Sequence, residues 1–405
     1  MNYQETLNFI HSKRAKGRGT NLDRVRWCLE QLGNPQHQFP AVHIVGTNGK
    51  GSTTSYLQHI FTEAGYQVGT FTSPYITRFN ERIAICGEEI PDADLTVLLN
   101  SILPMLENLK ETTFGDITEF ELVTILMFQY FAQKNVDIAF IEAGIGGLYD
   151  ATNVFMPLAV ICTSISLDHE DKLGKSHLSI AKHKIGVLKD HVPLIFGPVS
   201  NDVRQLFYNT AYNHDSLTFE AGQDFKLSKD TFTYHDIVIS PIHLQLLGKH
   251  QKINASLAVM CSLILSENFP KISLKTIKQG LNNTKWPGRS ELLRPNLLLD
   301  GAHNSDGIKQ LITLLQDHYP SRKVKILFAG LGRKSLSPLL NVLSDYPLSV
   351  TSFDFFEAQP LNQYPDQFNK VEHFEDWYHE EEQETLFVVT GSLYFISEIR
   401  QKFIP

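Results

Sequence analysis

The stretch His43–Ile60, "HIVGTNGKGSTTSYLQHI", passes from apolar residues through three glycines around Lys50 into a pattern of helical spacing. Tyr56, Leu57, Ile60, Phe61 and Ala64 recur on one helical face, and Gly65 offers a C-terminal stop. Strand, glycine-rich bend and helix in that order predict an anion site. Gly46, Gly49 and Gly51 let backbone N–H groups converge, Lys50 adds a point charge, and the helix start presents its positive dipole end. A hydroxyl of Ser52 or Thr53 would touch a magnesium ion. The spacing departs from G-x-x-x-x-G-K-[ST], because Ile44 stands at the first glycine and Gly51 follows the lysine. An ordinary glycine-rich turn is the plainer reading, but the flanking strand and helix favour a bound phosphate.

Outward from this bend, short β-branched runs alternate with amphipathic stretches. Strands are predicted at Val42–Val45, Gln67–Phe71, Val136–Ile141, Leu158–Thr163 and Pro193–Phe196. The alternation predicts an α/β fold with a mostly parallel sheet flanked by helices. "NNTKWPGRSELLRPN" (Asn282–Asn296) breaks the pattern, and a second series follows at Leu297–Asp300, Val324–Ala329, Leu348–Phe353 and Leu386–Thr390. Two domains are therefore expected, 1–286 and 287–405, as the length of 405 residues also suggests. Asp202–Ile239 is mixed and β-leaning.

A formal charge of −8 excludes a general nucleic-acid-binding surface. The runs Lys13, Arg14, Lys16, Arg18 and Glu380, Glu381, Glu382, Glu384 read as solvated charge. Four widely spaced cysteines, Cys28, Cys86, Cys162 and Cys261, follow no metal-ligand spacing and are expected to be reduced. No signal peptide or membrane-length apolar run is evident, so a cytoplasmic protein is expected.

Further patches sit where chemistry gathers in open parallel sheets, beyond the carboxyl ends of strands. Glu142 closes a strand before "AGIGGLYDATN"; it is either a surface acid or a magnesium ligand. The glycines there do not form G-x-G-x-x-G, since Tyr149 takes the last position. Asp168 and His169 follow another strand, and His169 is either a hydrogen-bonded structural residue or part of a cation site shared with Ser52 and Glu142. The lysines of "IAKHKIGVLKD" read, on composition, as an exposed helix face. Asp300 and His303 lie on a loop after a buried strand. Arg289, at the domain junction, would reach a phosphate or pair with an acid.

Together these stretches resemble the folylpolyglutamate synthase family, some of whose members are also dihydrofolate synthases, within the Mur ligase superfamily. The matching motifs include "GTNGKGS" (Gly46–Ser52), "FTSPYITRFNERI" (Phe71–Ile83), "TEFE" (Thr118–Glu121), "GIGGLYDATN" (Gly144–Asn153) and "TSISLDHEDKLG" (Thr163–Gly174). They continue with "IAKHKIG" (Ile180–Gly186), "LGKHQKINASLA" (Leu247–Ala258), "WPGRSE" (Trp286–Glu291), "LDGAHNSDG" (Leu299–Gly307) and "VTGSLY" (Val389–Tyr394).

The resemblance implies an N-terminal P-loop ATPase domain and a smaller Rossmann-like C-terminal domain, with ATP in the cleft between them. It implies that Gly49, Lys50, Gly51 and Ser52 hold the triphosphate and that Asn254, Arg289 and Asp300 complete the ATP site. Ser73, Glu142 and His169 would bind Mg2+, joined by Lys184 at the position of a carbamylated lysine. Lys50, Lys184 and His303 are the expected catalytic residues, and Thr118, Phe120 and Ser392 the substrate-binding ones. The implied reaction is ATP-dependent addition of L-glutamate to the terminal glutamate of a reduced folate, with no nucleic-acid or membrane partner and a monomeric state. Rival readings are a bifunctional enzyme that also glutamylates dihydropteroate, a ligase of peptidoglycan precursors, and a non-catalytic nucleotide-binding regulator. The family's usual "GGRLDATN" is here "GGLYDATN", the histidine of "TSPH" is Tyr75, His183 and Ile185 replace Glu and Ala, and "GLGRKSL" (Gly330–Leu336) lacks two common aspartates.

Overall fold

Runs such as Ala41–Val45 and Ile138–Glu142 are buried along their whole length, the pattern of central strands covered on both faces. The structure, a computed structural model, describes residues 1–14, 21–332 and 336–404. Lys16, Arg18 and the Arg333–Ser335 part of "GLGRKSL" lie outside the described residues. The chain divides into two compact units. The first comprises Met1–Pro74, Asn80–His243 and Ile253–Thr284; the second comprises Tyr75–Phe79, Leu244–Lys252 and Lys285–Pro405.

The first unit begins α1 (Tyr3–His11), α2 (Asp23–Gln31), β1 (Ala41–Val45), α3 (Lys50–Glu63) and β2 (Val68–Phe71). It continues with β3 (Ile83–Ile85), β4 (Glu88–Glu89), α4 (Asp92–Lys110), α5 (Glu119–Gln133), β5 (Ile138–Glu142) and β6 (Val160–Cys162). Then come α6 (Glu170–Leu173), α7 (His177–Ile185), β7 (Leu194–Phe196), α8 (Asn201–Asn213) and β8 (Thr218–Glu220). The antiparallel trio β9 (Phe225–Ser228), β10 (Thr231–Tyr234) and β11 (Ile237–Ile239) precedes α9 (Lys249–Leu265) and α10 (Leu274–Asn283). The mixed segment Asp202–Ile239 therefore resolves into a helix and four short strands.

The main sheet of this unit has the order β4-β3-β2-β5-β1-β6-β7-β8, parallel from β2 through β8. All five predicted strands are in it. The chain crosses from β5 over β1 to β6, so the loops after β1, β5 and β6 meet at the carboxyl edge, where such sheets bind ligands. Beneath the sheet, Phe61 of α3 packs edge-on to Phe140 and Phe269 at 5.1 and 5.4 Å. Helix α10 closes on the back of α3 at Gly280, where a Cβ would lie 2.5 Å from the Ile60 Cα.

The second unit contains β12 (Glu291–Arg294), β13 (Leu297–Leu299), α11 (Ser305–His318), β14 (Lys323–Phe328), α12 (Ser337–Leu343) and β15 (Leu348–Val350). It ends with β16 (Asn369–Lys370), β17 (Thr385–Thr390) and α13 (Leu393–Gln401). Its sheet, β12-β13-β17-β14-β15-β16, is parallel except at β12, and β13 and β17 at its centre are buried along their whole length. Helices α11 and α12 pack on one face through Leu311, Leu315 and Leu340. Helix α13 covers the other face through Phe395 and Ile399.

The four cysteines are free thiols, as expected. No helix among the described residues is long and apolar enough to cross a membrane. The solvated reading of the basic run fails at Lys13, which is 7% exposed and bound to Asp116 at 3.1 Å, while Arg14 meets Glu119 at 2.5 Å. These pairs tie the end of α1 to the start of α5. Composition misses this because the partner carboxylates lie about a hundred residues downstream.

Candidate active site

The bend after β1 is built by glycines with backbone angles other residues avoid. Gly46 has φ +147°, and a Cβ there would lie 1.9 Å from Thr163 Oγ1. Gly49 has φ +89°, with Asn254 Oδ1 only 2.4 Å from the position of a Cβ. The bend is anchored to the loop after β6. Thr163 Oγ1 donates to Asn48 O at 2.6 Å, Asn48 N donates to Ser164 Oγ at 2.9 Å, and Thr47 N to Ser164 O at 2.9 Å. Lys50 starts α3, and Gly51 and Ser52 are buried in its first turn.

Charged groups converge on this bend. Lys50 Nζ donates to Gly46 O at 3.1 Å and lies 3.5 Å from Glu142 Oε1, the last residue of β5. Ser73 N donates to the other Glu142 oxygen at 3.4 Å, so the loop after β2 joins the group. Lys184, in the last turn of α7, donates to the same Gly46 O at 2.8 Å. Lys184 is only 4% exposed, so the composition-based reading of an exposed helix face fails for it. Burial, reinforced by the Lys50 charge, lowers its pKa to about 7. The main chain at Gly147 is pressed against the end of α7, since a Cβ there would lie 2.7 Å from Lys184 O.

His169 follows β6 in a left-handed conformation, φ +51°, and its N–H donates to Asp168 Oδ1 at 2.8 Å. Thr118 caps α5 in a reciprocal box with Glu121. The Phe120 ring lies under Gly144, where a Cβ would be 2.6 Å away. Thr118 and Phe120 line a small cavity of about 30 Å³ together with Tyr149 and Asp150. Among the described residues, no three His, Cys, Asp or Glu side chains are grouped to hold a metal.

The remaining expected residues lie in the second unit, at the carboxyl ends of β13 and β17. Asp300 Oδ2 accepts from Ser290 N at 3.0 Å and Ser290 Oγ at 2.8 Å, and Oδ1 accepts from Ala302 N at 2.9 Å. Arg289 Nη1 lies 3.5 Å from where a Gly301 Cβ would be. His303 Nδ1 bonds Gly301 O at 2.8 Å. Ser392 caps α13, accepting from Tyr394 N at 3.3 Å. His250, not singled out from sequence, faces Asp300 and Arg289 electrostatically, and burial lowers its pKa. Both His250 and the Thr163 anchor lie inside motifs quoted above, but the sequence does not mark them out within those motifs, because each is defined by partners remote along the chain.

Residues 44–262 match the model of the Mur ligase middle domain. The dihydrofolate synthase/folylpolyglutamate synthase of Bacillus subtilis is 33% identical, over 99% of this chain and 99% of its own length. The chain belongs to the folylpolyglutamate synthase family of Mur ligases. Another family member, the folylpolyglutamate synthase of Lacticaseibacillus casei, is 36% identical over 85% of this chain and 83% of its own. A solved folylpolyglutamate synthase complex with AMPPCP and folate superposes with a TM-score of 0.89 at 32% identity, covering 100% of both chains. The Mycobacterium tuberculosis folylpolyglutamate synthase complexed with ADP gives 0.91 at 25% identity, covering 100% of this chain and 98% of that one.

Proposed function

We propose that this folylpolyglutamate synthase family member joins L-glutamate to the terminal glutamate of a reduced folate at the cost of ATP. The observation that carries this reading is the convergence of Lys50 and Lys184 on the Gly46 carbonyl, with the Glu142 carboxylate beside Lys50. A carboxylate resists amide formation because its oxygen leaves poorly. Transfer of the γ-phosphoryl to it makes an acyl phosphate, and this transfer needs positioning and charge neutralisation. Gly49, Gly51 and Ser52 would cradle the phosphates with backbone N–H groups while Lys50 meets their charge. Asn254, Arg289 and Asp300 are the further nucleotide contacts we infer. The glutamate amine then attacks the acyl carbonyl, the tetrahedral intermediate collapses, and phosphate leaves. Exclusion of water keeps the acyl phosphate from hydrolysing. We assign His303 and Ser392 to the incoming glutamate, and Thr118 and Phe120 to the folate acceptor.

Magnesium fits this arrangement. Lys50 and Lys184 share one carbonyl beside the Glu142 carboxylate, and conversion of Lys184 to a carbamate would put an oxygen-donor anion at that point. Glu142, Ser73, His169 and carbamylated Lys184 would hold the ion, which would neutralise phosphate charge. Burial favours the uncharged Lys184 amine, the form that adds CO2. Protein equilibrated with 13C-bicarbonate should show a carbamate carbonyl resonance that Lys184→Ala abolishes; its absence would remove the lysine from the metal set.

A second reading is favoured by the Bacillus subtilis relative, whose name gives both activities. Purified protein supplied with ATP, glutamate and either tetrahydrofolate or dihydropteroate separates them. Glutamate-dependent ADP release with the folate alone supports the narrower activity, and comparable turnover of dihydropteroate would replace it by the bifunctional one.

A further inference from the structure

His43 lies in the middle of β1, 1% exposed, and takes no part in the chemistry described above. Its Nε2 is 2.8 Å from Thr152 Oγ1. Thr152 Oγ1 in turn lies 2.6 Å from Asp150 Oδ1, and Thr152 N reaches the same oxygen at 3.1 Å. The second oxygen of Asp150 accepts from Ile145 N at 3.0 Å. A hydroxyl has one proton, and an ionised carboxylate can only accept, so Thr152 must donate to Asp150. Its oxygen then accepts from His43, which places the imidazole proton on Nε2. Independent support comes from His43 Nδ1, which is buried and has no hydrogen-bond partner among the described residues. A proton there would be unsatisfied, so the ring is held neutral in one tautomer. Phe155, with ring centroid 5.0 Å away, fixes its plane.

The line His43–Thr152–Asp150 therefore runs from the interior of the sheet to the cavity lined by Thr118, Phe120, Tyr149 and Asp150. We propose that His43 and Thr152 are positioning residues that orient the Asp150 carboxylate toward N–H groups of the folate acceptor, and so set how tightly that acceptor is bound. This rests on the reading that Thr118 and Phe120 contact the acceptor. The imidazole supplies no chemistry itself. Its work is to leave the threonine hydroxyl one direction in which to donate, which fixes the carboxylate rotamer before substrate arrives.

The test compares T152V with T152S, and H43N with H43Q, in the full-length protein. Valine keeps the shape of threonine and loses the donor; serine keeps the donor. The glutamine amide nitrogen reaches the place of Nε2, whereas that of asparagine falls short. T152V and H43N should raise KM for the folate acceptor about tenfold, with KM for ATP and the thermal midpoints of T152S and H43Q within normal scatter. T152S and H43Q should restore the acceptor KM. Equal effects of valine and serine, or parallel rises in the KM values of all three substrates, would overturn the positioning role. If T152V does not fold, the H43N and H43Q pair decides alone. Failure of the wild-type chain to turn over any folate would instead refute the underlying functional reading.

Discussion

Lys184 and His43 show how one position can be decided by what surrounds it. Both are polar side chains whose charged form burial disfavours, one beside the glycine-rich bend and one inside the sheet. For His43 the pKa falls from 6.5 to about 3, chiefly through burial and secondarily through the Lys189 charge. Between those values the unfolded chain binds a proton that the folded chain refuses, so stability falls as pH falls through this window. The slope is about 1.4 kcal/mol per pH unit for one group, so about 2 kcal/mol is lost between pH 6.5 and 5. His43→Gln should flatten that part of a urea-unfolding profile, and an unchanged slope would show that His43 is not the group responsible. The role of His43 was not legible in the sequence. It stands 109 positions from Thr152, and nothing in "AVHIV" distinguishes a tautomer-fixed histidine from any other buried ring.

Elements were far more legible than individual partners. Every predicted strand exists, because central parallel strands covered on both faces are written as short, mostly apolar runs. Helix α3 was equally plain, since Gly65 stops it with φ +80°. Asp202–Ile239 was unreadable because its strands are three or four residues long, too short for periodicity to speak. The glycine-rich bend could be located, but the residues anchoring it could not: Thr163 and Ser164 reach it from the loop after β6, more than a hundred positions away. The same holds for the back of α3. Gly280 is there because the helices approach too closely for a side chain, with backbone atoms of Ile60 and His59 within 2.9 Å of where a Cβ would be. Backbone cannot retreat as a flexible side chain can. Gly280→Val should therefore cost about 1–3 kcal/mol in denaturant unfolding, and a smaller loss would mean that α10 slides.

For the molecule as a whole, the family's two-unit plan gives each strand series its own parallel sheet and its own carboxyl edge. Any ligand that binds the native chain and not the unfolded one stabilises it by mass action, by about 2.7 kcal/mol at a hundredfold excess over Kd. ATP analogue with magnesium should raise the unfolding midpoint of the wild-type chain, and Lys50→Ala or Asp300→Asn should each abolish the rise. A full rise in either variant would detach that residue from nucleotide binding.

The seam between α3 and α10 also sets an order in time. A ribosome releases the glycine-rich bend and α3 early, but Leu274–Asn283 emerges only near the end of the first unit. Until then the surface awaiting Gly280 stands bare, so the nascent protein carries a raw apolar flank through most of its own translation and is exposed to aggregation for that interval.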